Sequence, residues 1–257
     1  MKPSLSIFFP CYNDAGTIGS LVTAAELVAS EYTEDYEIIV VDDGSTDSSR
    51  SLLQELTRKF PRLRLIFHER NFGYGAALRS GFTHAKKDFI FYTDGDGQYD
   101  VFDLRHFLKI IGEGVDVVNG YKIYRNDPLH RRWIGRFYVV LMRALFRFRL
   151  RDVDCDFRLI RKTALDQITL RHDSGVICLE LVNKLELGGF RIVEYPLPHY
   201  HRTYGRSQFF RLDRLFQTGV NIVRLWWQIM IQKDTPKRSN SFPETGRAQK
   251  NPSLVNP

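Results

Sequence analysis

Residues 88–98 read DFIFYTDGDGQ, an apolar run followed by an acidic, glycine-rich turn. A short apolar and aromatic run is typical of a buried strand, and the glycines indicate that a turn follows Thr93. Asp94 and Asp96 are one residue apart on that turn, so both carboxylates can face one hard cation such as Mg²⁺ or Mn²⁺. The same spacing also occurs in solvated turns. On this stretch alone, a metal site and an ordinary turn are both open.

A second acidic turn follows an earlier predicted strand. Residues 37–41 read EIIVV and lead into DDGSTD at positions 42–47. Two separate strands therefore carry carboxylates at their carboxyl ends. In an open α/β sheet this edge is where ligands bind, which favours the metal site at Asp94 and Asp96.

The first half of the chain alternates between strand and helix patterns. Strands are predicted at 5–9, 37–41, 63–68, 88–93 and 115–119. Helices are predicted between them at 15–30, 46–60, 75–86 and 101–113, and either Ser45 or Asp47 caps the second helix. This alternation predicts an α/β fold, a Rossmann-like and mostly parallel sheet with helices on both faces.

The second half contains longer helical patterns. Its predicted elements are a helix at about 131–149, a strand at 157–161, a helix at 176–187, a strand at 190–195 closed by Pro196, and an amphipathic helix at about 208–232. The polar composition from residue 234 onward predicts disorder. We expect one domain over 1–207 that includes the helix near 131–149, an amphipathic helix at 208–233 and a disordered tail at 234–257.

Composition bounds the class of protein. With 257 residues, 43% of them hydrophobic, the chain can fill a substantial core. Its three cysteines, Cys11, Cys155 and Cys178, are too scattered for a disulfide framework and favour a reducing compartment. The sequence has neither the layout of a signal peptide nor an uninterrupted apolar run of about 18 residues. A cytoplasmic protein without a spanning helix is therefore expected.

The net charge of +7 is concentrated in residues 122–151, where nine Lys or Arg residues accompany one acid. Such a patch indicates an anionic partner. Four arginines fall on one side of the predicted helix, beside an aromatic-rich apolar face: Arg132, Arg136, Arg143 and Arg147. This pattern is typical of a helix in a membrane interface, although a surface helix packed on the core is the alternative. We expect peripheral attachment to an anionic membrane surface at its cytoplasmic face.

Dinucleotide binding is disfavoured, because the glycine pattern that it requires is missing. Gly73 and Gly75 follow the third predicted strand, but the third glycine is replaced by Leu78. A phosphate-binding loop with Gly-Lys-Ser/Thr is also missing, and no nucleic-acid-binding motif accompanies the basic patch. Nucleic acid is therefore not an expected partner.

Four ordered motifs carry a resemblance to a known family. They are LSIFFPCYNDAGTI (5–18), VVDDGSTD (40–47), ERNFGYGAALRSGF (69–82) and TDGDGQYD (93–100). Together they resemble glycosyltransferase family 2, which has the GT-A fold. DVDCDFRLIRK (152–162) and HYHRTYGRSQFF (199–210) are similar to polyprenyl-phosphate sugar transferases of the dolichyl-phosphate mannose synthase type. The chain departs from that type at 120–122, which read GYK where many relatives have GSR.

The resemblance implies roles for individual residues. It assigns the metal to Asp94, Asp96 and Gln98. It assigns a nucleotide-sugar donor of the GDP-mannose or UDP-glucose type to Pro10, Tyr12, Asn13, Asp42, Ser45, Asn71 and Gly75. It assigns catalysis to Asp94, Asp96, Asp156 and Arg158. Structural roles compete: Asp43 can cap a helix, the glycines can serve a tight turn, and Asp156 can form an ion pair with a nearby arginine.

The acceptor follows from chemistry. A hydroxyl acceptor generally requires a positioned carboxylate base, whereas a phosphate monoester is already a dianion near neutral pH and needs cations to hold it. Basic residues are abundant in the second half and a convincing Glu-Asp pair is missing. The resemblance assigns the lipid phosphate to Lys122 and Arg131, and a mobile loop over the phosphates to Arg202, Ser207 and Gln208.

These observations predict an inverting, Mg²⁺- or Mn²⁺-dependent transferase that moves a hexose from a nucleotide sugar to a polyprenyl phosphate. One alternative keeps the donor site but uses a soluble or glycan hydroxyl acceptor. Another is a non-catalytic basic module that binds lipid or nucleic acid on the same scaffold, against which the intact Asp94–Asp96 pair argues. A monomer and a homo-oligomer are both compatible with the sequence.

Overall fold

The computed structural model describes residues 3–112, 114–123, 140–202, 204 and 212–236. Within these ranges one seven-stranded sheet has the strand order β3-β2-β1-β4-β6-β5-β7. The strands are β1 (Leu5–Cys11), β2 (Tyr36–Asp42), β3 (Leu63–Phe67), β4 (Phe89–Thr93), β5 (Val117–Lys122), β6 (Phe157–Arg161) and β7 (Ile192–Leu197). Only β6 runs antiparallel to its neighbours, β4 and β5. The predicted α/β fold with a mostly parallel sheet is confirmed.

Helices cover both faces of the sheet. They are α1 (Ile18–Tyr32), α2 (Ser49–Lys59), α3 (Tyr74–His84), a 3₁₀ turn (Val101–Asp103) leading into α4 (Leu104–Ile110), α5 (residues 140–146), α6 (Lys162–Leu165), α7 (Val176–Leu187) and α8 (Leu212–Trp226). A π-helical turn, Trp227–Ile231, extends α8. The apolar sides of α1, α2 and α4 pack on one face of the sheet, and those of α3 and α7 pack on the other.

The apolar run of β4 follows from this layering. Phe89 and Phe91 join the core cluster under α1 and α4, whereas Ile90 and Tyr92 join the cluster under α3 and α7. A strand that is covered on both faces cannot alternate with polar residues, so it is apolar at consecutive positions. Burying one such large side chain contributes about 1.5–3 kcal/mol.

The chain order creates a crevice at the carboxyl edge of the sheet. From β1 the chain adds β2 and β3 on one side, and it then crosses back to place β4 on the other side of β1. The direction in which strands are added to the sheet therefore reverses between β1 and β4. Such a switch point is the usual ligand site of open α/β sheets.

All strands except β6 differ from their predicted bounds by one to three residues, and both ends shift by two or more in β5 and β7. The strand predicted at 115–119 is β5, which runs on to Lys122, because Gly120, Tyr121 and Lys122 pair with β7. The strand predicted to close at Pro196 continues to Leu197. Proline is tolerated there because β7 is at the edge of the sheet, where a missing N–H breaks no ladder hydrogen bond.

The helix predicted at about 131–149 is described only over residues 140–146, where it ends. Arg147 has a φ of 59°, and the Arg143 guanidinium donates a 2.6 Å hydrogen bond to the carbonyl oxygen of Leu150. The predicted alignment of Arg143 and Arg147 on one helix is therefore not formed. Phe148, just beyond the end of the helix, is buried in a core cluster with α7 and α8. The other two arginines predicted on that side of the helix lie outside the described residues: Arg132 and Arg136.

A third core cluster holds α8 in place. Leu225 and Ile229 are buried against α5 and α7, and the Trp226 indole N–H donates to the carbonyl oxygen of Leu145 at 3.2 Å. The first residues after the π turn are also held, because Asp234 pairs with the buried Lys184 at 3.0 Å. Among the described helices, none is both long enough and apolar enough to cross a bilayer. Of the tail predicted to be disordered, residues 237–257 lie outside the described residues.

Candidate active site

The turn after β4 holds its two carboxylates in different environments. Asp94 Oδ1 accepts a 2.6 Å hydrogen bond from the hydroxyl of Tyr74. Asp96 Oδ1 accepts a hydrogen bond from the backbone N–H of Gln98, and Asp96 Oδ2 forms a 2.6 Å ion pair with Arg202. Both side chains are therefore oriented by groups from other segments of the chain.

This acidic turn packs on the end of β1. A Cβ added at Gly95 would lie only 2.5 Å from the carbonyl oxygen of Pro10, so the close approach requires glycine. The Thr17 hydroxyl donates a 2.6 Å hydrogen bond to the Gly95 carbonyl oxygen. Asp14, whose carboxylate accepts from the backbone N–H of Tyr12, lies on the same side of the turn. The first and fourth sequence motifs thus meet at the switch point.

The electrostatics of the site are dominated by buried carboxylates. Burial raises the pKa of Asp94 well above the ordinary aspartate value, and the charges of Asp156 and Asp96 raise it further. Burial also raises the pKa of Asp96, although Arg202 opposes that rise. The pKa of Asp14 is raised to about 6, again mainly by burial. The site therefore disfavours ionised carboxylates that lack a cationic partner.

The residues fit a hard divalent cation. Asp94 and Asp96 offer carboxylate oxygens, the donors that Mg²⁺ and Mn²⁺ prefer. No described residue donates a hydrogen bond to Asp94 Oδ2, which leaves that oxygen available. In the part of the chain that the structure describes, no three His, Cys, Asp or Glu side chains are already arranged as a complete ligand set. A cation here would therefore take its remaining ligands from a bound substrate or water, as Mg²⁺ sites commonly do.

The loops after β1 and β2 are tied together by Asn13. Its side-chain oxygen accepts hydrogen bonds from the backbone N–H groups of Thr46 and Asp47, and its own N–H donates to Ser45 Oγ at 3.0 Å. The φ of Asn13 is 59°, a conformation that asparagine tolerates better than most residues. Asp47 in turn accepts a 2.9 Å hydrogen bond from the N–H of Ser49, so Asp47 rather than Ser45 supports the start of α2.

Asp42, predicted to bind the donor, is fully buried and engaged with the protein. Its carboxylate accepts a 2.7 Å hydrogen bond from the N–H of Ser45 and pairs with Arg50 at 3.2 Å. Beside it, Gly44 has a φ of 75°, and a Cβ there would lie 2.5 Å from the backbone nitrogen of Asn71. Asn71 is exposed at this contact. Asp42 and Ser45 therefore help to organise this loop.

The glycines of the third motif are packed against the protein's own backbone. A Cβ on Gly75 would overlap the carbonyl oxygen of His172, and the N–H of Gly75 donates to the Asp173 carbonyl oxygen at 2.8 Å. Asp43 accepts a 2.9 Å hydrogen bond from the N–H of Gly73. The tight-turn interpretation of the glycines is thus supported. Asp43 holds the loop that leads into α3, and it also bonds the ring of His68 at 2.7 Å.

Asp156 and Arg158 form one buried polar network. The Asp156 carboxylate accepts hydrogen bonds from Arg158 at 3.3 Å and from the Cys178 thiol at 2.9 Å. Arg158 is 0% exposed, and its guanidinium also donates to the Tyr92 hydroxyl and to Asn119 Oδ1. Arg158 therefore orients Asp156 and has no exposed side-chain surface, whereas the Asp156 side chain retains some exposure. The predicted ion pair between Asp156 and an arginine is formed.

Lys122, predicted to hold a phosphate, lies at the end of β5. Its ammonium donates a 2.7 Å hydrogen bond to the carbonyl oxygen of Asp154. Burial lowers the pKa of Lys122, but surrounding carboxylates, Asp152 foremost, raise it by more, so the residue keeps its charge. Three other residues predicted for phosphate binding lie outside the described residues: Arg131, Ser207 and Gln208.

The segment after β7 (residues 198–202 and 204), here called the covering segment, lies across the site. Gln98 and Tyr200 exchange hydrogen bonds of 2.9 Å: the Tyr200 N–H donates to the Gln98 carbonyl, and the Gln98 side-chain amide donates to the Tyr200 carbonyl. The ring of Tyr204 packs directly on Gly16, where a Cβ would overlap it. With the ion pair of Arg202, these contacts hold the segment over the acidic turn. The predicted loop over the phosphates thus has a partner on the protein itself.

Several residues of the site were not singled out from the sequence. Tyr74 lies between the two glycines of the third motif, and Asp14 directly follows Asn13, so both were within recognised motifs. Tyr92, Asn119 and Cys178 come from three distant segments and meet only through the sheet order and α7. No local pattern marks them.

Solved structures share this fold. Glucosyl-3-phosphoglycerate synthase from Mycobacterium tuberculosis, solved with Mn²⁺, UDP and phosphoglyceric acid, superimposes with a TM-score of 0.65 at 17% identity, covering 88% of this chain and 78% of that protein. The mannosyltransferase PcManGT from Pyrobaculum calidifontis, solved with GDP-Man and Mn²⁺, gives a TM-score of 0.61 at 21% identity, covering 87% and 65%.

The chain therefore has the GT-A fold that these structures share. The sequence profile of glycosyl transferase family 2 matches residues 6–169, and the chain belongs to this family. Its curated relatives include undecaprenyl-phosphate 4-deoxy-4-formamido-L-arabinose transferases. The protein from Edwardsiella ictaluri is 27% identical over 206 residues, 80% of this chain and 62% of that protein. The protein from Pseudomonas fluorescens is 28% identical over 207 residues, 80% and 60%. The chain thus spans less than two thirds of these relatives' length.

Proposed function

We propose that this protein is an inverting, metal-dependent transferase that moves a hexose from a nucleotide sugar to a polyprenyl phosphate. The observation that carries the proposal is the pair Asp94 and Asp96 at the switch point of the sheet, beneath a segment that carries Arg202. The family membership and the undecaprenyl-phosphate transferases among the relatives support the same reaction class.

On the donor side, Asp94 and Asp96 would hold Mg²⁺ or Mn²⁺, which would offset the charge that develops on the departing nucleoside diphosphate. Tyr12 and Asn13, on the loop above β1, flank the crevice where the nucleotide would lie. Arg202, on the covering segment, pairs with Asp96 at the acidic turn and would bind the diphosphate when the donor enters. The donors that we favour are of the GDP-mannose or UDP-glucose type.

On the acceptor side, a phosphate dianion attacks without prior loss of a proton. The protein then needs fixed positive charge, and Lys122 keeps its charge at the end of β5. Asp156 is placed by Arg158 and Cys178 near the acidic turn, where it can accept a hydrogen bond from a sugar hydroxyl.

A second acceptor class rests on the same Asp156. No described residue donates to Asp156 Oδ2, so this oxygen is available to a substrate. If the acceptor is an alcohol, Asp156 would remove its proton as a general base. The two acceptor classes predict opposite outcomes with polyprenol and polyprenyl phosphate.

We also propose that the protein attaches to an anionic membrane surface at the cytoplasmic face without spanning it. Val223, Trp227 and Ile231 follow one another along α8 and its π turn and are 66%, 53% and 50% exposed. An exposed row containing tryptophan suits the interfacial region of a bilayer, and a lipid-borne acceptor would bring the enzyme there. Arg224, exposed beside Val223, adds attraction to anionic lipids.

The test is a panel of nucleotide sugars incubated with a short polyprenyl phosphate and Mg²⁺ or Mn²⁺. We expect a lipid-linked sugar to form with one donor, to be lost with EDTA, and not to form from the matching polyprenol. Lys122→Gln should weaken acceptor use more than donor binding. Transfer to polyprenol or to a free glycan, with polyprenyl phosphate inert, would instead establish the hydroxyl acceptor, and loss of that transfer in Asp156→Asn would support Asp156 as its base.

A further inference from the structure

Tyr74 is the one described residue whose side chain hydrogen-bonds to Asp94. A phenol keeps its proton at neutral pH and presents one O–H donor. The 2.6 Å bond to Asp94 Oδ1 therefore fixes the rotation of the carboxylate and leaves Oδ2 for another ligand. Groups that orient a metal ligand in this way act on metal affinity although they do not touch the metal.

The position of Tyr74 is itself fixed from two sides. On one side Asp43 accepts hydrogen bonds of 2.9 Å from the N–H groups of Phe72 and Gly73. On the other side the Gly75 N–H donates to the carbonyl oxygen of Asp173 at 2.8 Å. Cβ atoms on Gly73 or Gly75 would overlap the backbone of residues 172–174. Tyr74 is thus clamped between the β2 end and this segment.

Residues 172–174, here called the brace, rest on α8. The His172 ring hydrogen-bonds to the Gln228 side chain at 3.0 Å, and Asn221 donates to Ser174 Oγ at 3.1 Å. These contacts come from the inner side of α8 and its π turn, whereas Val223, Trp227 and Ile231 are exposed on them. One helix therefore presents an apolar row outward and holds the brace inward.

We propose that Tyr74 is a positioning residue for Asp94, and that the brace, seated on α8, keeps Tyr74 on that carboxylate. This inference rests on the proposed metal site at Asp94. It makes the seating of α8 a determinant of cation affinity. Contacts that start at Asn221 and Gln228 reach Asp94 through the brace, Gly75 and Tyr74.

The first test is Tyr74→Phe, which removes only the hydroxyl. Its control is Tyr36→Phe, because the Tyr36 hydroxyl donates a bond of the same 2.6 Å length to Glu26, outside the site. Mn²⁺ binding is measured by electron paramagnetic resonance, with and without nucleoside diphosphate, and thermal unfolding is recorded for each variant. We expect about tenfold weaker Mn²⁺ binding for Tyr74→Phe and unchanged binding for Tyr36→Phe.

The second test compares two glycines that flank the brace contact. Gly75→Ala places a methyl group against His172, whereas nothing lies within 4 Å of a Cβ at Gly175. Gly75→Ala should weaken Mn²⁺ binding and Gly175→Ala should not. Asn221→Ala, a milder change on α8, should weaken Mn²⁺ binding by a smaller factor and serves if Gly75→Ala does not fold.

Asp94→Ala separates the outcomes. If Asp94→Ala abolishes Mn²⁺ binding but Tyr74→Phe binds Mn²⁺ as the unmodified protein does, Tyr74 is not a positioning residue and the proposed function stands. If the Tyr74 effect appears but the Asn221 and Gly75 variants bind normally, the brace part is overturned. If Asp94→Ala itself leaves Mn²⁺ binding unchanged, the proposed metal site fails and this inference fails with it.

Discussion

Removing Arg202 should strengthen binding of a divalent cation in the absence of donor. The guanidinium of Arg202 forms a 2.6 Å ion pair with Asp96 Oδ2, so a positively charged side chain already occupies one oxygen of the proposed metal site. A cation that uses this oxygen must first displace Arg202. In Arg202→Ala that competition disappears.

The size of the effect follows from the pair. A hydrogen bond to a charged group contributes about 1.5–3 kcal/mol. The Arg202 side chain is 32% exposed, and solvent screening reduces the value to about 1–2 kcal/mol. Because 1.4 kcal/mol corresponds to about a factor of ten, Mn²⁺ should bind about five- to thirtyfold more tightly to Arg202→Ala. The rate of sugar transfer should fall in the same variant, because Arg202 would no longer bind the donor diphosphate.

Mn²⁺ titrations without nucleotide measure this, at one fixed alkaline pH because metal binding requires deprotonated carboxylates. Arg105→Ala is the matched control, because it removes an equal charge from a pair with Glu31 between α4 and α1. It should leave Mn²⁺ affinity unchanged. Equal or weaker Mn²⁺ binding by Arg202→Ala would show that Arg202 and the cation do not compete for Asp96.

Three further outcomes are expected. Asp94→Ala or Asp96→Ala should abolish divalent-dependent donor binding without loss of the fold, which calorimetry with nucleotide and circular dichroism would check; donor binding that persists in EDTA would contradict this. Trp227→Ser should lower binding to anionic vesicles in sedimentation assays and spare donor binding; vesicle binding as strong as before would remove the proposed docking row. Burial raises the pKa of Asp14 from 3.8 to about 6 in the folded state, so ionising this carboxyl costs stability as the pH rises from about 4 to 6. Asp14→Asn removes that cost, so above pH 6 the variant should be more stable than the unmodified protein by up to about 2–3 kcal/mol. Equal unfolding midpoints at pH 8 would contradict the burial of a charge at Asp14.

The sheet was predictable because its strands are short apolar runs between clear turn signals. The predicted bounds of β6 and α7 match the structure, since local pattern and burial agree there. The ends of β5 and β7 were not predictable, because they are set by pairing between strands about 75 residues apart. Likewise the end of α5 at residue 146 depends on a contact from Arg143 to the following loop, which periodicity does not encode.

The location of the site was predictable from the sequence, but the division of labour inside it was not. Acidic turns after two parallel strands must meet at one edge of the sheet, as Asp42 and Asp94 do. Which of them faces the crevice depends on partners elsewhere. Asp42 is neutralised by Arg50 and bonded to Ser45, whereas Asp94 keeps one oxygen without a described donor. Two carboxylates that look alike in sequence therefore differ in availability.

The two arginines of the site differ in burial and therefore in what they can do. Among the described residues, four carboxylates influence one another around the acidic turn and are accompanied by two guanidinium groups: Asp14, Asp94, Asp96, Asp156, Arg158 and Arg202. Arg158 is fully buried and permanent, so it can only hold Asp156. Arg202 is partly exposed on the covering segment and can leave. A divalent cation held by Asp94 and Asp96 would offset the repulsion among these carboxylates. When a diphosphate binds, Arg202 would move from Asp96 to the diphosphate. The metal cation and Arg202 would then both neutralise the diphosphate charge, while Arg158 would keep Asp156 in place.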